Sequence, residues 1–327
     1  MQTERRVRLI DAFTDEPLAG NAAGVVPDAD GLSGSQMQAI ARELAVSETA
    51  FLLSPDAGED AAGADGATAS EAGAGAGAES TDDEPADHRI RYFTPTQEVD
   101  LCGHATVAAG AHLHADGIAG AGTHRLATNV GPIDVEIEPD GTVWMTQNRP
   151  EVREVTVEYD RLAEVLGIDP AALRDVGADA PPAVASTGLA WLLVPVNFLE
   201  HLGSVDPDVS AVEALADEHD AVGIYAFTFD TLDGDSTLHA RAFAPGAGVP
   251  EDPVTGTASG ACGAYLRHVG AVTDTTDMRF EQGHFLDRPG TVRVDVGAEV
   301  RAGGRAAVAL DGTIRVPEDD EDEIIEA

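Results

Sequence analysis

The sequence predicts an α+β fold of two similar lobes, each a curved β-sheet wrapped around a central helix. Three observations carry this expectation. The segment GHATVAAGAHLHADG, Gly103 to Gly117, agrees with GTASGACGAYLRHVG, Gly256 to Gly270, at seven of fifteen positions with an offset of 153 residues. The flanks repeat as well: Arg91-Tyr-Phe-Thr-Pro95 answers Arg241-Ala-Phe-Ala-Pro245, and Gly131-Pro-Ile-Asp-Val-Glu-Ile answers Gly290-Thr-Val-Arg-Val-Asp-Val. One strand–loop–helix–strand unit is thus written twice, which predicts two copies related by a pseudo-twofold axis. Finally, helices built from Ala, Gly and Thr carry little bulk, so a sheet can close tightly around them.

The elements follow in order. Arg6 to Phe13 reads as a strand, followed by the turn-rich GNAAG and a strand at Gly24 to Val26. Ser33 is placed to cap a helix over 35–44, with Met37, Ile40, Ala41 and Leu44 on one face. Glu48 to Leu53 is an apolar strand, and Arg89 to Phe93 another. After the first small-residue helix, strands are expected at 123–130, 131–138 and 141–147. The second half repeats the plan with strands at 189–196, 221–228 and 238–243, a helix over 208–219, the second small-residue helix, and strands at 280–282 and 291–296. These elements suggest a first lobe over 1–120, a second over 121–285, and strands in 286–316 that pack back onto the lobes. Residues 56–88 hold ten carboxylates and no Arg among Ala and Gly, which predicts a solvated, disordered insertion. The tail 317–327, PEDDEDEIIEA, reads as another disordered acidic end.

Charge narrows the function classes. All 19 basic residues are arginine; against them stand 59 Asp and Glu, for a net charge of -40. Such a surface repels nucleic acid and anionic membranes, so neither is expected as a partner. Self-repulsion at this charge opposes the compact state until salt screens it, which fits a halophilic protein in a salt-rich cytoplasm. Cys102 and Cys262 make no disulfide framework. The opening MQTERRVRLIDAF has no apolar core of a signal peptide, and the run from Gly188 to Leu199 falls short of the roughly 20 residues a membrane span needs. A soluble, cytoplasmic chain is the expectation.

Each small-residue helix starts just after a polar lead, QEVDLCGH in one half and GVPEDPVTGT in the other. The free N–H groups of Gly103 and His104, and of Gly256 and Thr257, would point out of two helix N-termini, which attract anions. Two such ends facing across a pseudo-twofold would hold a small carboxylate. Three titratable residues sit close by in sequence: His104 at the first helix start, Asp252 just before the second, and Glu48 at the head of the apolar strand ETAFLL. A carboxylate at the edge of such a strand loses water and gains a pKa useful for proton transfer. Ordinary roles stay open for each: a solvated strand end for Glu48, a turn or cap before Pro253 for Asp252, a polar core position for His104. No metal site is expected, since His112 and His114 flank Leu113 on a helix and face different directions.

Taken together, Asp11-Ala-Phe…Gly20-Asn21, Ser47-Glu48-Thr49, Arg91-x-Phe-Thr-Pro95…Gly103-His104-Ala105-Thr106 and Glu251-Asp252-Pro253-Val254-Thr255-Gly256-Thr257-Ala258 resemble the PhzF-like phenazine-biosynthesis family, of the diaminopimelate epimerase fold group. The resemblance runs in order along nearly the whole chain, outside the acidic insertion and tail. It implies a diaminopimelate epimerase-like fold with the active site between the lobes, and a cofactor-free isomerase that often forms homodimers. The family's phenazine enzyme acts on trans-2,3-dihydro-3-hydroxyanthranilate, where a glutamate moves a proton between ring carbons. Carried over, Glu48 would be general base and then acid, and His104 and Asp252 would orient the substrate and assist proton movement. Gly256 and Thr257, across the cleft from Gly103, would bind the substrate carboxylate. Two alternatives accompany this: an amino-acid epimerase or racemase, and a non-catalytic small-molecule-binding member. The related racemases use two thiols; Cys102 stands where one would sit, but its repeat partner is Thr255.

The charge analysis sets a first test. The melting temperature should rise steadily from about 0.1 M to about 1 M KCl, as the Debye length shrinks from about 10 to about 3 Å. A calorimetric scan series checks this, and a flat or falling series would contradict the expected salt dependence.

Overall fold

The computed structural model describes residues 4–56, 85–176 and 179–318. The expected disordered insertion and tail fall mostly outside these residues. The first lobe comprises β1 (Glu4–Ala12), β2 (Asn21–Val26), α1 (Gly34–Leu44), β3 (Glu48–Leu53), β4 (His88–Phe93), β5 (Glu98–Val99), α2 (Gly103–Ala115), β6 (Gly122–Thr128), β7 (Gly131–Ile137) and β8 (Val143–Thr146). The second comprises β9 (Glu151–Glu154), α3 (Tyr159–Leu166), β10 (Ala183–Ser186), β11 (Ala190–Pro195), α4 (Leu199–Gly203), α5 (Val209–Glu218), β12 (Gly223–Thr228), β13 (Leu238–Ala244), β14 (Val249–Asp252), α6 (Gly256–Val269), β15 (Met278–Gln282), β16 (Gly290–Val296) and β17 (Val300–Gly304), after which β18 (Ala306–Arg315) returns to the first lobe.

Strand pairing repeats between the lobes. In the first, β1-β2-β3-β4-β6-β7-β8 run side by side, with β2/β3 and β4/β6 parallel and the other neighbours antiparallel. In the second, β10-β11-β12-β13-β15-β16-β17 follow the same order, with β11/β12 and β13/β15 parallel. The lobes join where the equivalent strands β8 and β17 pair antiparallel, as a twofold requires. The chain ends are exchanged in the same spirit: β9 pairs with β10, and β18 pairs with β1. The α+β, two-lobed architecture is therefore present as the sequence predicts.

The boundary at 120/121 does not follow the sheets. The strands of 122–146 belong with the first lobe: β6 pairs with β4, and β7 and β8 pack on α2. Sequence order places them after the helix, but each helix needs strands from both of its sides to be enclosed. α2 is wrapped by β1, β2, β3, β7 and β8, and α6 by β9, β10, β11, β16 and β17.

Small residues permit this enclosure. A Cβ at Gly110 would lie 2.8 Å from the Val143 side chain, and one at the equivalent Gly263 only 2.6 Å from Val294. Ala105, Ala108, Ala109, Ala258 and Ala261 are fully buried in the same core. α1 forms as the sequence suggests: Ser33 Oγ accepts from Gln36 N–H at 3.2 Å, and Gln36 Oε1 accepts from Ser33 N–H at 3.1 Å, a capping box. Side-chain detail repeats too. Arg91 makes a two-pronged pair with Glu98 and lies over Phe93; Arg241 does the same with Glu251 and Phe243.

Gly263→Val should cost about 1–3 kcal/mol, the usual range for overpacking a core. Chemical denaturation in molar salt measures this; an unchanged midpoint would mean that the sheet yields easily around α6.

Candidate active site

The seam between the lobes encloses a cavity of about 260 Å3, and its wall contains Glu48, Gly103, His104, Asp252, Gly256 and Thr257. All six residues singled out in the sequence are thus brought together. A wider, open depression of about 660 Å3 beside Tyr159 and Pro181 gathers Arg174, Asp175 and Asp179, with neither imidazole nor thiol among its described residues.

Two helices point their N-termini into the cavity, and neither carries a side-chain cap. Cys102 at the head of α2 and Thr255 at the head of α6 make no capping bond, whereas Ser33 caps α1 and Asp208 caps α5. The first-turn N–H groups therefore stay available, together with the positive end of each helix dipole.

Glu48 heads β3, where parallel pairing sets it beside Ala23. Its Oε2 lies 3.4 Å from His104 Nε2. Ser47 Oγ sits 3.2 Å from the same nitrogen, and Cys102 Sγ lies 3.4 Å from Nδ1. Glu48, Cys102 and His104 bring their donor atoms within 4.8 Å of one another, close enough to share an ion. In the present arrangement the thiol lies beside Nδ1 and the carboxylate beside Nε2, and the thiol and carboxylate also interact directly. Cys102 is a weak candidate for chemistry of its own. Burial first, and then the negative charge of Glu48, push its thiol well above the ordinary cysteine value.

Asp252 comes from the other lobe, at the end of β14. Its Oδ1 accepts from Asn21 Nδ2 at 2.8 Å, and its Oδ2 accepts from Thr255 Oγ1 at 2.5 Å. Gln282 sets the sense of the second bond. Its Oε1 accepts from the Thr255 N–H at 3.1 Å, so its amide nitrogen faces Thr255 Oγ1 at 3.1 Å and the Asp252 carbonyl at 2.8 Å. The Thr255 proton is left to point at the carboxylate. Burial pushes the Asp252 carboxyl up to about 6; His104 and the Thr255 bond oppose the rise, and Glu48 adds to it.

The pseudo-twofold is broken at the chemistry. Thr49 pairs with Phe93 and Ile224 pairs with Phe243, so Glu48 corresponds to Gly223. A Cβ at Gly223 would lie 2.1 Å from the Phe243 carbonyl oxygen, so no side chain fits there. By the same registers Asp252 corresponds to Val99, while the helix offset matches His104 with Thr257. One lobe supplies Glu48 and His104 and the other supplies Asp252.

The sequence flagged Asn21 only as part of a motif, and gave Thr255, Gln147 and Gln282 no role. Gln147 accepts from Thr187 Oγ1 at 2.7 Å and donates to the Gly256 carbonyl at 3.1 Å, fixing the head of α6. It fits only because residue 260 is glycine, where a Cβ would fall 1.8 Å from Gln147 Oε1.

Comparison with known proteins agrees with this architecture. The profile of the PhzC-PhzF family, described as phenazine biosynthesis-like protein, matches residues 10–314. The chain is 34% identical to the uncharacterized isomerase YfhB of Bacillus subtilis over 315 residues, covering 95% of this chain and 96% of that protein. It is 37% identical to an uncharacterized isomerase of Deinococcus radiodurans, covering 93% and 92%. The crystal structure of a PhzF-family phenazine biosynthesis protein from Bacillus anthracis superposes with a TM-score of 0.78 at 30% identity, covering 96% of this chain and all of that one. A hydroxyproline epimerase from Agrobacterium vitis shares the fold at 13% identity, with a TM-score of 0.53 and coverage of 98% and 95%. Both lobes, the helix starts and the cleft fall inside the matched span, and the chain belongs to the phenazine biosynthesis-like PhzC-PhzF family.

Proposed function

We propose that the protein is a cofactor-independent isomerase that moves a proton between two carbons of a small carboxylate. The observation that carries this reading is the convergence of Glu48, His104, Asp252 and two uncapped helix starts on one enclosed cavity. Relatives named isomerases support the reaction class.

In this reading the substrate carboxylate accepts from the N–H groups of Gly256 and Thr257, with the dipole of α6 behind them. Glu48, ionised, removes a proton from a carbon next to a double bond. The C–H electron pair moves into the carbon framework and the double bond shifts. Glu48 then returns the proton at the far carbon. Electrons and atoms balance with no external oxidant or reductant. His104, 3.4 Å from Glu48 Oε2, stabilises the charged carboxylate and hands it back its geometry after each transfer. Asp252, held at both oxygens, faces the cavity as a fixed polar partner for the substrate.

Racemisation by two thiols is disfavoured by the residues themselves. Thr255 stands where the second thiol would be, and Cys262 is buried within α6.

Solvent deuterium incorporation into unsaturated and amino carboxylates, followed by NMR in molar salt, tests the proposal. Wild type should exchange at least one substrate, and Glu48→Gln should lose about 10²–10⁴-fold, the usual worth of a positioned acid–base group. Exchange undiminished in Glu48→Gln would remove Glu48 from the role. Asp252 gives a second test. Folding raises this carboxyl from the ordinary range to about 6, so the native state holds a proton that the unfolded chain releases. Its contribution to stability is full below about pH 4 and is lost as the pH rises to about 6. In Asp252→Asn that part of the pH dependence of unfolding should vanish, together with any inflection near pH 6 in the exchange rate; identical profiles in both proteins would contradict the shift.

A further inference from the structure

We infer that the cleft selects a substrate bearing one negative charge on an apolar carbon skeleton, and turns away dicarboxylates and phosphorylated compounds. This deepens the proposed function and rests on that reading for the identity of the site.

The argument is one of charge count. The chain has no lysine, and among the described residues no arginine lines the cavity and His104 is its one imidazole. The arginines of neighbouring strands are committed elsewhere. Arg91 is paired with Glu98 and Arg241 with Glu251, each through two hydrogen bonds. Arg288 is held by Asp11 and by the carbonyls of Ala19 and Gly20. Against this, the cavity already contains two carboxyl groups, Glu48 and Asp252. The remaining cationic character comes from the tips of α2 and α6, each worth roughly half a charge. With Glu48 set beside His104 and Asp252 held by the neutral donors of Asn21 and Thr255, the two tips can offset at most one added carboxylate.

The rest of the wall is mostly apolar, and its polar members, among them Ser47, Thr94, Gln97, Gln147 and the Trp191 N–H, are uncharged. Leu101, Met145, Leu189, Trp191, Val222 and Val249 form much of it, drawn from both lobes. A second anion placed on this surface would lose its water and gain at most neutral hydrogen bonds, with no opposite charge to offset it. The overall charge of -40 acts in the same direction, since a dianion approaching the cleft is repelled more strongly than a monoanion.

A panel of linear, branched and cyclic alkenoic acids, each matched with the dicarboxylic acid of the same skeleton, tests the inference. Binding is measured by calorimetry and saturation-transfer NMR, with wild type, Leu189→Arg and Val249→Arg, the variants checked for native circular dichroism. For at least one skeleton the monoacid should bind wild type tenfold or more tighter than its diacid, and an added arginine should narrow that ratio. If no monoacid binds more tightly than its partner, the inference falls. Deuterium exchange in the same samples separates the two claims. Charge-selective binding without exchange leaves this inference standing and overturns the proton-transfer reading; exchange with equal or tighter diacid binding does the reverse.

Discussion

A sheet can close around a helix only if that helix is thin, and this steric constraint governs the molecule. Where Val143 meets Gly110 and Val294 meets Gly263, the side chains of the sheet rest almost on helix backbone. The close fit does more than fill a core. It holds α2 and α6 inside their sheets with their first turns emerging at the seam, so that two helix dipoles end at one cavity. Bulkier helices would push the sheets outward and separate those ends. The convergence of the two helix starts is therefore a by-product of packing, and the residues that allow it are largely alanine and glycine.

Much of this was legible because it depends on local pattern. The strand at Glu48–Leu53 was read with the bounds it has, since a short apolar run after a polar pair leaves little choice. The small-residue helices announced themselves by repetition. Helix α3 escaped although four of its eight residues are buried, and most of the other missed elements are short. β5 has two residues, β9, β10 and β14 have four each, and such pieces carry no periodicity to detect. β18 falls in the stretch 286–316 where strands are expected, but its sequence AAVALDGTIR leaves Val308 and Leu310 exposed, so alternation gives no inward face by which to set its bounds. The lobe boundary was misplaced for a related reason: enclosure is a property of the sheet, and no window of sequence shows which helix a later strand will cover.

The cleft was legible in its parts and not in its wiring. Glu48, His104 and Asp252 stood out as titratable residues beside turns and helix starts. The contact between Asn21 and Asp252 spans 231 positions in the chain, and nothing near either residue foretells it. Gln147 and Gln282 are equally silent in sequence, because an amide's partners are decided by the fold. These residues bind no substrate in the present reading; they determine where Asp252 and the head of α6 stand, and therefore how the cavity can be used.

The replacement of Glu48 by Gly223 in the second lobe has a stereochemical consequence. Two identical lobes meeting on a true twofold would offer a ligand the same surroundings on both sides, so it could bind equally in two orientations related by the axis. Covalent linkage of the halves frees each to mutate alone. With an acid on one wall and bare backbone on the other, those two orientations cease to be equivalent. If Glu48 carries the proton as proposed, it would be set down on the face from which it was lifted, and the transfer would be suprafacial.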